Sequence, residues 1–164
     1  CAENRFRIIR EIGEAVKAAC GDHYPLLMKI NVTDSGKTDA YYADLVTALT
    51  AAGELFDAVE TSGWDAIVSG AAQKPYFIDV VKRLHSDVDV PLIEVGGFRN
   101  AESMLEAIRA GASAVSISRP LVCEPDFAAM IRDADDAVSK CKGCGYCLNP
   151  LDLSTMIRCP VADR

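Results

Sequence analysis

The stretch from Pro91 to Pro120, PLIEVGGFRNAESMLEAIRAGASAVSISRP, constrains the fold more than any other. Pro91 to Val95 is a short apolar run, as a strand buried on both faces requires. It ends at Gly96-Gly97, where the backbone can approach something closely. A helix is predicted next, with Asn100 as N-cap and Gly111 as its stop. A second strand, Ala114 to Ile117, ends at Ser118-Arg119-Pro120. Two successive strand ends that each open into a turn before a helix form an anion cradle of backbone N–H groups and helix dipoles. An ordinary βαβ unit with a structural glycine pair would share this pattern.

The rest of the chain extends the alternation. Glu3 to Cys20 reads as an amphipathic helix with Phe6, Ile9, Ile12, Val16 and Ala19 at helical spacing. Tyr24 to Val32 reads as a buried strand carrying one charge, Lys29, which either snorkels outward or meets a ligand. Thr38 to Gly53 reads as a helix, and Glu54 to Gly63 as its continuation or a second helix. Asp65 to Ser69 is the next predicted strand. Pro75 to His85 is a predicted helix with Phe77, Val80, Val81 and Leu84 on one face. A last helix is expected over Pro125 to Val138. The predicted order is a helix, then βα four times, then a tail. That means an α/β fold with a parallel sheet and right-handed crossovers. Four strands make half of a (β/α)8 TIM barrel, and the phosphate site of such barrels follows the last two strands. Residues 1–140 form the half barrel and residues 141–164 a cysteine-rich tail.

Composition narrows the function. The chain has 164 residues and a formal charge of -7, which argues against nucleic acid and anionic membranes as partners. No run approaches the roughly 20 apolar residues of a membrane span. No signal peptide is read at the start, and the expected location is the cytoplasm. The opening on Cys1 rather than Met suggests a piece of something longer.

Cysteines are the second chemical feature. Cys141, Cys144 and Cys147 stand as C-x2-C-x2-C, and Cys159-Pro160 follows. Three close thiolates and a distant one before proline fit an iron–sulfur cluster, with zinc as the alternative. Cys1, Cys20 and Cys123 lack such spacing and are expected to be plain packing or surface residues. The odd count of seven argues against a disulfide framework.

Together these residues resemble the C-terminal half of the (β/α)8 TIM barrel of the NADH:flavin oxidoreductases of old yellow enzyme type, in the iron–sulfur branch with 2,4-dienoyl-CoA reductase and trimethylamine dehydrogenase. The resemblance runs through Asn4-Arg5-Phe6, Met28-Lys29-Ile30-Asn31, Asp65 to Gly70, Gly96-Gly97, Ser118-Arg119-Pro120 and the four tail cysteines. It implies FMN at the C-terminal ends of the barrel strands. Lys29 would approach the flavin N1 and C2 carbonyl. Gly96, Gly97, Phe98, Ser118 and Arg119 would hold the phosphate. Cys141, Cys144, Cys147 and Cys159 would hold a 4Fe–4S cluster, and NAD(P)H would be the electron donor.

Two departures from the family pattern matter. Ser118 replaces the glycine of a Gly-Arg-Pro motif, which tightens the approach to phosphate. The family's substrate-binding His and proton-donating Tyr positions lie upstream of this chain. His23 and His85 are expected on the stability face, so no catalytic residue is assigned. The expected function is part of an oxidoreductase that passes hydride from NAD(P)H through flavin to an activated double bond of a small-molecule substrate. Its partner would be the missing N-terminal half of the barrel or a second copy of the chain. The alternative is a non-catalytic phosphate-binding half barrel that self-associates. A phosphate-sugar isomerase or synthase would share the cradle, but the cysteine tail counts against it.

Overall fold

A computed structural model describes residues 1–33, 39–63, 75–148 and 157–162. Helix α1 spans Ala2–Cys20, strand β1 Leu27–Thr33, helix α2 Asp39–Ala52 and strand β2 Ala58–Gly63. Helix α3 (Ile78–Asp87), β3 (Leu92–Val95), α4 (Ala101–Arg109) and β4 (Ala114–Ser116) follow. Short helices α5 (Arg119–Cys123) and α6 (Phe127–Asp133) lead to a 3-10 turn at Tyr146–Leu148. The four strands form one parallel sheet in the order β1-β2-β3-β4, the arrangement of half a (β/α)8 barrel.

The structure departs from the sequence reading first at the second strand. Ala58 to Val59-Glu60-Thr61-Ser62-Gly63 is a strand, not helix, and it pairs along β1 from Leu27↔Ala58 to Thr33↔Gly63. Its apolar residues are few, so periodicity is weak there. Burial alternates along it instead, with Val59 and Thr61 both fully buried. The strand expected over 65–69 lies outside the described residues. The helix expected from Pro125 to Val138 stops at Asp133, and Val138 instead bridges back to Asn100.

The sheet has two unlike faces. Met28, Val32, Val59 and Leu92 point toward the helices and join Leu45, Leu49, Val81 and Leu84 in the core. Burial of these side chains is the main favourable term, at about 1.5–3 kcal/mol each. The opposite face carries Leu27, Lys29, Asn31, Glu60, Ile93, Val95 and Ser116, none of them buried. In α1 the packed stripe is shifted from the expected one. Ile12 is 57 % exposed, while Gly13 is buried and lies close to Phe56. A Cβ on Gly13 would sit 3.1 Å from the Phe56 ring, so the small residue sets the helix–core distance.

Caps and turns agree with the reading of the organising stretch. Asn100 caps α4: its side chain accepts the Ser103 N–H at 2.9 Å. The Ser103 hydroxyl returns a bond to the Asn100 carbonyl. Gly111, at φ 109°, lets the chain leave α4 beneath His85, where a Cβ would come within 2.3 Å of the imidazole.

Candidate functional site: an anion pocket at two strand tips

The ends of β3 and β4 meet. Val95 pairs with Ser116, and the Gly96 N–H donates to the Ser116 carbonyl at 3.3 Å. Gly96 and Gly97 have φ of 88° and 86°, a region that side-chain-bearing residues rarely adopt. The turn they make opens a cavity of about 130 Å³. Its walls include Gly96, Gly97, Phe98, Ser118 and Arg119, with Tyr76 and Arg99 added. The volume suits a phosphate-sized group rather than a whole flavin.

Five of the six residues expected at the cofactor are thus brought together. Lys29, expected at the flavin ring rather than at the phosphate, does not line this cavity. It lies on β1, in the cross-strand row of Glu60 and Ile93, and forms an ion pair with Glu60. That row is two residues below the Val95–Ser116 pair, about 7 Å at the usual strand rise.

The electrostatics of the cavity centre on two guanidiniums. Arg119 is 8 % exposed and Arg99 6 %. Arg119 donates through Nη2 to the Tyr76 hydroxyl and through Nη1 to the Gly143 carbonyl at 3.4 Å. Its guanidinium also lies 5.7 Å from the centroid of the Tyr76 ring. Arg99 donates through Nε to the Cys141 carbonyl at 2.9 Å and through Nη1 to the Phe98 carbonyl at 2.8 Å. All these acceptors are neutral. Among the described residues, neither arginine takes part in a salt bridge. Two nearly buried cations without a carboxylate partner favour an anion between them.

Helix termini contribute less than expected. The first turn of α4 is already served by Asn100, and α5 is only five residues long. The cradle is made by the glycine turn and the two arginines. Arg99 could have been read from its place two residues after the glycine pair. Tyr76 carries no local signal, because it reaches the pocket from the segment before α3.

The tail packs against this pocket. Buried Glu124, just after α5, accepts from the Ser139 hydroxyl at 2.8 Å and the Lys140 N–H at 2.7 Å. The Ser139 hydroxyl in turn accepts the Cys141 N–H at 3.1 Å. Cys141, Cys147 and Cys159 are half-buried and Cys144 is exposed. Cys123 is buried, and its thiol is within hydrogen-bonding reach of Cys159. Burial chiefly, helped by Cys159, pushes the Cys123 thiol up to about 12. Burial also raises Cys147, which Arg119 partly offsets. Among the described residues, no three ligating side chains stand where one metal ion could join them.

His23 is exposed, and His85 lies in the last turn of α3, against Gly111. Neither lines the pocket. Among the described residues, no helix is long and apolar enough to cross a membrane.

Residues 1–135 match the profile of the NADH:flavin oxidoreductase / NADH oxidase family. The chain belongs to that family. A curated relative from Staphylococcus carnosus, the catalytic subunit of dihydroorotate dehydrogenase B (NAD(+)), is 30 % identical over 135 residues. That alignment covers 72 % of this chain and 43 % of the relative, so the chain spans less than half of that protein. The subunit of the same name from Bacillus cytotoxicus is 43 % identical over 61 residues, covering 34 % of this chain and 20 % of the relative.

Proposed function

We propose that this chain supplies the phosphate end of the flavin site in an FMN-dependent oxidoreductase that uses NAD(P)H. The observation that carries the reading is the pair of buried guanidiniums at two touching strand tips, with only neutral partners among the described residues. FMN ends in a phosphate of matching size and charge. When bound, the flavin supplies hydride transfer, to or from a carbon of the substrate. The chain's own residues do the holding. Arg119 and Arg99 neutralise the phosphate, and the glycine turn brings backbone N–H groups to it. Phe98, fully buried, ties the residue after the turn to the hydrophobic core.

The substrate is a small molecule with an activated double bond or, by likeness to the curated relatives, a dihydropyrimidine ring. The cysteine spacing supports a thiolate-held metal centre on the tail, iron–sulfur by the family resemblance and zinc as the alternative. An absorption spectrum of the chain purified without air, with sulfide and metal analysis, tests both cofactors. Flavin bands and acid-labile sulfide are expected. Colourless protein that takes up no added FMN would overturn the flavin reading.

One observation favours a second reading. The face of the sheet away from the helices is open, with Leu27 56 % exposed. A half barrel that covers this face with a second copy would sediment as a dimer. A monomer in sedimentation velocity would remove that reading.

A further inference from the structure

We propose that the cysteine loop, residues 141–147, is part of the anion site, and that binding a phosphate dianion and ordering this loop are coupled through Arg99 and Arg119. The proposal rests on the anion-binding reading of the pocket and goes beyond it. It assigns Arg99 as a second cation of the site and the loop carbonyls as the groups that position both cations.

A guanidinium has five N–H groups. Among the described residues Arg99 makes two donations, to Cys141 and Phe98, and Arg119 makes two, to Gly143 and Tyr76. Each fork therefore keeps N–H groups for an anion while its loop contact stays in place. Both arginines are part of the pocket wall. An anion that engages both forks fixes the orientation of their other donors as well. Those donors hold the carbonyls of Cys141 and Gly143.

The loop itself is suited to be held in this way. Gly143 and Gly145, at φ 68° and 75°, fold it tightly enough to turn carbonyls inward. Its start is tied to the end of α5 through Glu124, Ser139 and the Cys141 N–H. Arg99 also anchors this entry by backbone, since its carbonyl accepts the Ser139 N–H at 2.8 Å. The loop thus has one firm end at 139–141. Beyond it, the described contact to the pocket is the long 3.4 Å bond from Arg119 to Gly143. A bond of that length gains most when its donor is fixed. Order gained on one side lowers the ordering cost on the other, so the coupling is positive and reciprocal.

The test is alkylation of the full, reduced chain by iodoacetamide, followed cysteine by cysteine through peptide mass spectrometry, with inorganic phosphate or with chloride at matched ionic strength. Calorimetry of the same samples measures phosphate binding. Saturating phosphate is expected to slow Cys141 and Cys147 at least about fivefold, the low end of ordinary coupling between sites. Exposed Cys20, at the far end of α1, should not change. Arg99→Gln should lose the protection at Cys141. Arg99→Lys, which keeps the charge but not the fork, should lose most of it too. Phosphate that binds without altering these rates would overturn the coupling and leave the anion pocket standing. Phosphate that does not bind would overturn the pocket and the coupling together. Equal slowing at Cys20 would also overturn the proposal, because the effect would not belong to the site.

Discussion

Glu94 is a buried carboxyl in β3, on the helix side of the sheet. Neither of its oxygens finds a full hydrogen bond among the described residues. Burial pushes its pKa up to about 7, opposed by the nearby Phe77 N–H and aided by Glu106 and Asp79. The folded protein therefore prefers the protonated acid. That preference carries no penalty below the unfolded value near 4.5, and the penalty grows as pH rises to about 7. A shift of this size corresponds to roughly 3 kcal/mol. Glu94→Gln should raise the unfolding free energy by up to about that amount above pH 7, and by little below pH 4.5. Urea melts across this range check it; equal gain at both ends would show that the acid is not held neutral. At the pocket, Gly96→Ala combines a strained φ with a Cβ 2.7 Å from the Tyr76 ring. It should lower stability by about 1–3 kcal/mol and phosphate affinity at least about tenfold. Arg119→Ala should cost about 1.5–3 kcal/mol of phosphate binding, read by calorimetry.

At the scale of elements, the strut from α5 to the tail is the sharpest test of how the site is assembled. Glu124 is buried and holds two groups of the 139–140 segment. Glu124→Ala should lower the unfolding free energy by about 1.5–3 kcal/mol and remove hydrogen-exchange protection from the Lys140 amide. Unchanged protection there would mean the tail is held by something else. Elements also show where the sequence speaks clearly. The unit from β3 to β4 was legible because glycines, a cap residue and apolar runs all agree. Strand β2 was not, because Glu60, Thr61 and Ser62 hide its period and its burial is decided by the strands beside it. Lys29 was legible as a buried-strand charge, yet its partner Glu60 sits on that unrecognised strand. The rows of the sheet, not local sequence, keep it out of the pocket.

The whole molecule is a parallel half barrel whose chemistry is concentrated at one corner. Among the described residues, four strands leave one sheet face open, and the two buried arginines lie where the last two strands end. Most of that corner could be read in advance, since Gly96, Gly97 and Arg119 carry their own signals. Tyr76, Arg99 and the loop carbonyls complete it through contacts between residues 42–43 positions apart or 24 apart, which no local pattern encodes. On the proposed function this corner binds the phosphate of a flavin nucleotide. Its most direct test is fluorescence titration of the full chain with FMN and with riboflavin, which differ only by that phosphate. Two or more charge-assisted bonds predict FMN binding at least about tenfold tighter, with inorganic phosphate competing. Equal affinity for the two flavins would contradict the account.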